Sequence, residues 1–155
     1  MRLIHACLTL VFCLVVSPAS AEIVTQTEAR AFFARYVELG EAYDVGLADL
    51  YANDAVIRSE RHYPNGETRA IQVSGQQWKA LIVNAMPQAK ARQDRSTYAN
   101  VKVSVSANRA KISADRYSEL KCYTDSAYYM VIEPRSDGGY RIVEEYTQTQ
   151  PQSNC

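Results

Sequence analysis

The sequence TYANVKVSVSANRAKISA, residues 97–114, alternates apolar and polar side chains on both sides of a predicted two-residue turn at Asn108-Arg109. Before the turn the apolar residues occupy odd positions, and after it they occupy even positions. A turn at this place pairs Val105 with Ile112, so that both apolar sets lie on one face. The stretch therefore predicts an antiparallel hairpin in a sheet that is buried on one side.

The C-terminal half of the chain continues as strands. Tyr128–Glu133 and Tyr140–Thr147 flank the loop Ser136–Gly139, whose residues favour a tight connection between antiparallel strands. Together with the hairpin of residues 97–114, these segments predict four consecutive antiparallel strands.

The N-terminal half carries the signals for three helices and two strands. A capping box at Thr25–Glu28 begins the first helix, Asp44 caps a short second helix, and Ser74 begins the third. Two strand-like segments, 55–62 and 68–73, lie between the second and third helices. The third helix has a predicted buried stripe that ends at Pro87: Trp78, Leu81, Ile82, Ala85 and Met86. The fold class is therefore α+β, with three helices packed on a curved, mostly antiparallel six-stranded sheet.

The charge balance excludes one broad class of partner. The 155 residues contain 17 Lys and Arg against 17 Asp and Glu, whereas a nucleic-acid surface usually needs a basic stripe. The sequence has no glycine-rich phosphate loop and no metal-ligand cluster, so no cofactor is predicted.

The first 21 residues are typical of a signal peptide. Arg2 precedes the apolar run Leu3–Val16, and Ala19–Ala21 is a small-x-small cleavage site. The run is shorter than the about 20 apolar residues of a transmembrane helix. We expect residues 1–21 to be removed and the single domain 22–155 to be periplasmic or secreted, without a stable membrane anchor. A retained N-terminal anchor is the alternative.

Cysteine usage follows from this processing. Cys7 and Cys13 leave with the signal peptide, so Cys122 and Cys155 are the cysteines that remain. Because these two thiols and the remaining histidine, His62, cannot complete a closed zinc shell, we expect a disulfide. A final hairpin centred near residue 137 also places Cys122 opposite residue 152 or so, close to Cys155. Two unpaired thiols are the alternative.

A family resemblance accounts for the whole order of elements. The segment LADLYANDAVI, residues 47–57, and Ser74-Gly75 at the start of the third helix are similar to the nuclear-transport-factor-2-like superfamily. This superfamily includes ketosteroid-isomerase-like and polyketide-cyclase-like enzymes, dehydratases, and exported members of unknown activity. The resemblance implies a cone-shaped fold, with a ligand between the helices and the concave sheet and a homodimer through the outer face of the sheet.

The enzymes of that superfamily place an ionisable side chain inside the cone. Asp44 and Asp54 occupy its recurring acidic positions, but a helix cap and the start of a strand after a turn explain them better. No residue matches the isomerase pattern of a base opposite a tyrosine and a protonated acid. His62, at a strand end, is interpreted as an exposed edge histidine, with a general base as the alternative.

Strand parity supplies candidates for the lining of the cone. Extending the buried faces of the strands gives one row with Val101, Arg116, Met130 and Glu144, and a second with Ala99, Ser118, Tyr128 and Tyr146. Arg116 and Glu144 are interpreted in three ways: a structural ion pair, a pocket in which Arg116 receives an anionic ligand, or a register slip that turns both outward. The full set of pocket candidates is Arg116, Glu144, Tyr36, Tyr128, Tyr146, Met130 and Trp78.

Three functions remain open at this stage. The first is an exported protein that binds a small, partly apolar and anionic molecule between the helices and the concave sheet. The second is a cofactor-free isomerase or dehydratase with Glu144, Asp44 or His62 as base and a tyrosine as hydrogen-bond donor. The third is a homodimeric protein-interaction module. A carboxylate in the cone without a cationic partner, and so with a raised pKa, would favour catalysis over binding.

Overall fold

The computed structural model describes residues 23–155. The predicted signal peptide, residues 1–21, lies outside these described residues and stays a prediction. None of the helices in residues 23–155 is long and apolar enough to cross a membrane.

Capping side chains begin all three helical segments at the predicted residues. Helix α1 spans Gln26–Glu41 and α2 spans Gly75–Arg92, and each begins with a complete capping box. The segment between them, Val45–Leu50, is a 3-10 helix rather than an α-helix. Asp44 caps it as predicted, with its Oδ1 accepting a bond of 2.8 Å from the Gly46 N–H. The segment ends at Leu50 because the following residue, Tyr51, already belongs to a strand.

Within residues 23–155, seven strands form one curved sheet. Their bounds are β1 Tyr51–His62, β2 Thr68–Ser74, β3 Ser96–Ser106, β4 Arg109–Ser118, β5 Tyr123–Asp125, β6 Tyr129–Pro134 and β7 Tyr140–Thr149. Their spatial order is β2-β1-β7-β6-β4-β3, and β5 pairs with β4. The prediction of six strands missed the short β5. The pairing of β1 with β7 is parallel, and the other pairings are antiparallel.

The β3–β4 hairpin has the predicted buried face but a different register. Val105 lies opposite Ala110, not opposite Ile112, because the turn falls at Ala107-Asn108, one residue earlier than predicted. Ala107 adopts a left-handed conformation there, with φ of 52°. Since the shift is two residues, the parity of the apolar side chains is unchanged, and Ile112 and Ala114 still face the core.

A bulge in β7 changes which acidic residue faces inward. Val131 lies opposite Glu144, whereas Ile132 lies opposite Ile142, so Val143 is an extra residue in β7. The pairing of β7 with β1 is irregular at the same place. An extra residue reverses the in-out alternation beyond it. Ile142 and Glu145 are consequently both buried, and Glu144 is turned to the other face.

The packed core lies between the helices and the sheet, and α2 contacts the sheet chiefly through β1. Only Gly75 and Ile82 of α2 are buried, and Leu81 is 48% exposed. The predicted stripe is therefore covered by protein at Ile82 and partly at Trp78 and Met86, whereas Leu81 and Ala85 are exposed. Pro87 lies within α2, which continues to Arg92. The space left beside this stripe is the pocket described below.

The predicted disulfide joins Cys122 to Cys155, with their Cα atoms 5.2 Å apart. The tail that carries Cys155 also bonds to the turn before β5. The Ser153 N–H donates to the Lys121 carbonyl at 3.1 Å, and the Ser153 hydroxyl donates to the Cys122 carbonyl. The C-terminal tail is thereby attached to the β4–β5 connection.

Candidate ligand-binding site

A pocket of about 490 Å³ lies between α1, α2 and the ends of β3 and β4. Its apolar wall comes mostly from the helices: Val37, Leu47, Leu81, Ile82, Ala85 and Met86. Its polar wall includes Tyr36, Tyr51, Trp78, Tyr98 and Arg116, and the acidic side chains of Glu41 and Asp94 also line the pocket. At the edge, Arg95 donates to the Tyr43 hydroxyl at 3.0 Å, and both residues line the pocket.

Arg116 brings a cation to the concave face of the sheet. Its side chain is 18% exposed, and its neighbours across the strands are Tyr98 on β3 and Asp125 on β5. The guanidinium Nε lies 3.8 Å from Asp125 Oδ2 and has no hydrogen-bond partner in the described chain. One Nη donates to the Tyr123 hydroxyl at 3.5 Å. Both contacts are long, so neither Asp125 nor Tyr123 forms a close, two-pronged bond with the guanidinium.

Asp125 makes its hydrogen bonds with backbone N–H groups rather than with Arg116. Its Oδ1 accepts the Ala127 N–H at 3.0 Å and its Oδ2 accepts the Gln148 N–H at 2.7 Å. Burial raises the pKa of this carboxyl group. Asp125 therefore offsets part of the charge of Arg116 without forming a close, two-pronged ion pair with it.

A fully buried carboxylate, Glu145, lies behind the polar wall of the pocket. Its Oε1 accepts from the hydroxyls of Tyr36 and Tyr128, each at 3.0 Å, and its Oε2 accepts from the Tyr51 hydroxyl at 2.7 Å. Among residues 23–155, no cation lies within ion-pair distance of it. We call Glu145, Tyr36, Tyr51 and Tyr128 the Glu145 cluster.

The protonation properties of the cluster follow from its burial. Desolvation raises the pKa of Glu145, although the three hydroxyl groups that donate to it act in the opposite direction. Desolvation, followed by the nearby Glu145 charge, raises the pKa of Tyr36, Tyr51 and Tyr128 well above 10. The tyrosines therefore remain protonated at any physiological pH, and each has one proton to donate.

Aromatic packing holds the cluster in place. The Tyr98 ring lies 6.3 Å from that of Tyr36 and 5.4 Å from that of Tyr128, measured between centroids. Burial raises the pKa of Tyr98 to about 12. The indole Nε1 of Trp78 is buried beside the Tyr51 hydroxyl but has no partner at hydrogen-bond geometry within the described chain. Tyr98 thus connects the Glu145 cluster to Arg116, its partner across the β3–β4 pair.

The site contains no arrangement of metal ligands. Within residues 23–155, no group of three or more His, Cys, Asp or Glu side chains could hold a metal ion. The chemistry available to the pocket consequently comes from the guanidinium groups of Arg116 and Arg95, the carboxylates of Glu41 and Asp94, the tyrosine hydroxyls, the indole N–H and the buried carboxyl group behind the wall.

Comparison with known proteins places this arrangement in a fold. No family model and no curated protein matches the sequence. Solved structures do match. An NTF2-like protein of unknown function from Pseudomonas putida KT2440 aligns with a TM-score of 0.61 and 14% identity, over 79% of this chain and 84% of that one. The chain has the NTF2-like fold.

Two further structural neighbours carry more specific descriptions. A proposed dehydratase of the NTF2-like family from Streptomyces avermitilis aligns with a TM-score of 0.50 and 12% identity, over 83% of this chain and 96% of that one. A Catenulispora acidiphila protein in complex with S-DNPA aligns with a TM-score of 0.52 and 13% identity, over 79% and 90%. At these identities the likeness establishes the fold alone. The resemblance drawn from residues 47–57 is confirmed at that level.

The NTF2-like cone brings some of the predicted residues to the pocket. Tyr36, Trp78 and Arg116 line it. Tyr128 and Met130 face the same side of the sheet but lie fully buried behind the polar wall, with exposures of 1% and 0%. They support the site without lining it.

Glu144 and Tyr146 lie on the outer face of the sheet, so the parity prediction was wrong for both. Glu144 accepts from Arg58 at 2.8 Å and from the Tyr129 hydroxyl at 2.7 Å. Tyr146 stacks on Tyr129 with ring centroids 5.6 Å apart and donates to Glu60 at 3.2 Å. The bulge at Val143 is the physical reason. The predicted Arg116–Glu144 pair does not form, and the actual partner of Arg116 is Asp125.

The other ionisable candidates lie away from the pocket. Asp44 caps the 3-10 helix, as predicted. Asp54 is exposed within β1 rather than at its start. His62 lies at the end of β1, with its Nε2 3.2 Å from Glu60 Oε1 and its Nδ1 3.3 Å from the Thr68 hydroxyl. None of the three lines the pocket.

Sequence reasoning missed Glu145, Tyr51 and Tyr98. Tyr51 precedes the predicted strand 55–62, although it is the first residue of β1. Tyr98 stands at an even position of β3, which the alternation treats as outward, but the register of β3 shifts between Ala99 and Lys102. The sequence places two glutamates side by side at positions 144 and 145, which indicates that one of them faces the core. The bulge at Val143 determines that this residue is Glu145.

Proposed function

We propose that the protein is an exported small-ligand-binding protein, and that its ligand is a partly apolar organic anion held between the helices and the concave sheet. One observation carries the proposal. The mostly buried side chain of Arg116 lines a pocket of about 490 Å³, and its contacts with Asp125 and Tyr123, at 3.8 and 3.5 Å, are both long. Buried polar groups are nearly always satisfied, so an underused buried cation favours an anionic ligand.

The apolar wall defines the rest of the ligand. Leu81 is 48% exposed although it lies on the inner stripe of α2, and it lines the pocket together with Ala85 and Met86. A hydrocarbon or aromatic body placed there would remove this surface from water, which contributes about 25 cal/mol for each Å². The combination of a cation with an apolar wall supports an amphipathic acid over a sugar or a purely hydrophobic molecule.

Export is the second part of the proposal. Residues 1–21 have the pattern of a cleaved signal peptide. The Cys122–Cys155 disulfide is compatible with an oxidising compartment outside the cytoplasm.

Binding is tested in two steps. Native mass spectrometry of the protein purified from its own host detects a carried ligand as added mass. Calorimetric titration with a series of aryl and alkyl carboxylates then measures affinity for wild type and for Arg116→Gln. Arg58→Gln is the matched control, because Arg58 is an exposed arginine on the outer face whose partner is also a carboxylate. We expect Arg116→Gln to weaken binding at least tenfold and Arg58→Gln to leave it unchanged. Equal loss in both variants, or no binding by wild type, would refute the proposal.

A cofactor-free isomerase or dehydratase is the second candidate, because one observation favours it. Glu145 is a buried carboxyl group without a close cationic partner, and burial raises its pKa, as expected of a base adjusted for proton transfer. Its oxygens do not line the pocket, so a proton would have to pass through the hydroxyl of Tyr36 or Tyr51. The proposed dehydratase among the structural neighbours supports the same candidate.

The catalytic candidate is tested with solvent deuterium. Carbonyl acids and hydroxy acids incubated in D₂O would acquire deuterium next to the carbonyl group if the protein abstracts that proton. Exchange that wild type accelerates and Glu145→Gln does not would establish proton transfer. Exchange at the buffer rate in both proteins would leave ligand binding as the function.

A homodimer through the outer face of the sheet also stays a proposal. The stacked rings of Tyr129 and Tyr146 give this face an aromatic centre, with charged side chains such as Arg58 around it. Light scattering across a concentration series measures the mass in solution. A monomer mass at every concentration would exclude the homodimer.

A further inference from the structure

The Glu145 cluster determines which groups on the polar wall of the pocket can donate hydrogen bonds to a ligand and which can only accept them. A tyrosine hydroxyl has one proton to donate and can accept through its oxygen. Tyr36 and Tyr51 both line the pocket, and both direct that proton to Glu145, at 3.0 and 2.7 Å. While Glu145 is ionised, their oxygens can therefore meet a ligand only as acceptors.

The donors of the pocket lie elsewhere on the same wall. Arg116 supplies N–H groups that suit a carboxylate or another oxyanion. Tyr98 is the cross-strand neighbour of Arg116, and its ring packs at 6.3 Å against that of Tyr36. Tyr98 is thus a neighbour of both the cation and the ring of Tyr36.

We infer from this arrangement that the pocket selects organic acids that also carry a hydroxyl or N–H donor on their apolar framework. The acid group would bind Arg116, and the second group would donate to the oxygen of Tyr36 or Tyr51. Glu145 is then a positioning residue: it does not touch the ligand, but it fixes which way the two tyrosine protons point. This inference rests on the proposed binding function and narrows its ligand class.

Glu145→Gln is the variant that turns one of the two tyrosine hydroxyls from an acceptor into a donor toward the ligand. A glutamine amide keeps the shape of the side chain but replaces one acceptor oxygen by an NH₂ group that donates. On the Oε2 side that NH₂ meets Tyr51, and on the Oε1 side it meets Tyr36 and Tyr128. In either orientation, one pocket-lining tyrosine accepts from the amide, and its own proton becomes available to the ligand.

The test uses matched probes that differ in donor ability. The probes are the three positional isomers of hydroxyphenylacetate and the corresponding methoxyphenylacetates, in which the ether oxygen can accept but cannot donate. Calorimetry gives the ratio of hydroxy to methoxy affinity for each isomer on wild type and on Glu145→Gln. The extra bulk of the methyl group affects both proteins alike, so the change in the ratio isolates the hydrogen-bond sense.

We expect wild type to bind at least one hydroxy isomer about tenfold more tightly than its methoxy partner, the factor that one hydrogen bond supplies. In Glu145→Gln this ratio should fall for probes that donate to the reversed tyrosine, because the other pocket-lining tyrosine still donates to the amide oxygen. Tyr36→Phe and Tyr51→Phe each remove one acceptor oxygen and, taken together, should lower the ratio even if Glu145→Gln does not fold. Tyr129→Phe is the control, because Tyr129 also donates to a carboxylate, Glu144, but on the outer face; it should keep the wild-type ratio.

The outcomes separate the two proposals. Probes that bind in an Arg116-dependent way with equal affinity for hydroxy and methoxy forms would overturn the inference and leave the binding function in place. A ratio that Glu145→Gln, Tyr36→Phe and Tyr51→Phe all leave unchanged would also overturn it. If no probe binds wild type, the binding function fails for this class of acid, and the inference fails with it.

Discussion

The Tyr51 hydroxyl donates to Glu145 at 2.7 Å across a sequence separation of 94 residues. Tyr51 is the first residue of β1, and Glu145 follows the bulge of β7, so this bond joins the two strands where their parallel pairing is irregular. The bond is buried, and buried bonds to a charged group are among the stronger ones in proteins. The irregular part of the sheet is thus fixed by a side-chain contact where the backbone ladder is interrupted.

Glu145 predicts a pH dependence of stability. Its pKa in the folded protein is raised above its ordinary value of 4.5. A raised folded-state pKa contributes stability that is fully present below the unfolded value and is lost as the pH rises through the folded value. Because Glu145→Gln cannot ionise, its free energy of unfolding relative to wild type should increase as the pH rises above 4.5 and then level off.

Chemical denaturation of both proteins at a series of pH values measures this difference. The other ionisable groups titrate in both proteins and cancel. Glu144→Gln, the adjacent residue on the outer face, controls for the loss of one acidic side chain. A difference that decreases with pH would contradict the raised pKa.

Gly75 predicts a steric limit at the start of α2. A Cβ atom there would lie 1.8 Å from the Ala52 carbonyl oxygen and 2.9 Å from the Ala55 Cβ. Gly75→Ala should therefore lower the free energy of unfolding by about 1–3 kcal/mol, the usual cost of overpacking. Gly40→Ala is the matched control, since a Cβ at Gly40 in α1 meets nothing within 4 Å. It should be neutral or stabilising by up to about 1 kcal/mol. Urea denaturation compares the two, and equal effects would refute the close contact.

Arg116 predicts a larger stability loss than an exposed arginine. Arg116→Ala should lower the free energy of unfolding by about 3 kcal/mol, at the lower end of the range for breaking a buried ion pair. The lower end applies because the contact with Asp125 is long, at 3.8 Å, and backbone groups also satisfy Asp125. Arg58→Ala, at a side chain that is 47% exposed, should change stability by about 0.5 kcal/mol or less. If the two variants melted alike in denaturant, Arg116 would not be inside.

The disulfide predicts the absence of free thiols. Labelling of the unfolded, unreduced chain that begins at Glu22 should modify no cysteine, and labelling after reduction should modify Cys122 and Cys155. Replacing both by serine should cost about 3 kcal/mol, since the bridge spans a sequence separation of 33. Two labelled thiols without reduction would show that the bridge does not form in solution.

Processing of the N-terminus predicts a definite mass. Cleavage after Ala21 gives a protein that begins at Glu22, because residues 19–21 form a small-x-small site. Intact-mass measurement of the protein from its own host should show the loss of residues 1–21. A mass that retains them would remove the basis for export.

Local signals predicted the fold well. The capping boxes at Thr25–Glu28 and Ser74–Gln77 mark the true starts of α1 and α2, because a cap depends on residues three apart in sequence. Alternation identified the buried face of the β3–β4 hairpin, even with the register displaced by two residues.

The site was less predictable, for two physical reasons. Periodicity shows which face of α2 is apolar, but it does not show whether protein or a pocket covers that face, so Leu81 was assigned to the core. Parity counting also assumes that a strand has no bulge. The extra residue Val143 turns Glu145 toward the core in the position that parity predicts for Glu144. The bulge depends on two neighbouring strands at once, which no local pattern in β7 encodes.

The parallel pairing of β1 with β7 has a consequence for how the chain reaches its native state. β1 lies between β2 and β7, so its second neighbour is the last strand to be synthesised. High contact order of this kind slows folding, because a long loop must close before the pairing can form. A nascent chain that stops before Tyr140 leaves both β1 and β6 with an unpaired edge, and such edges template aggregation. Nonsense mutations or proteolysis within the last strand should therefore yield insoluble material rather than a smaller folded domain.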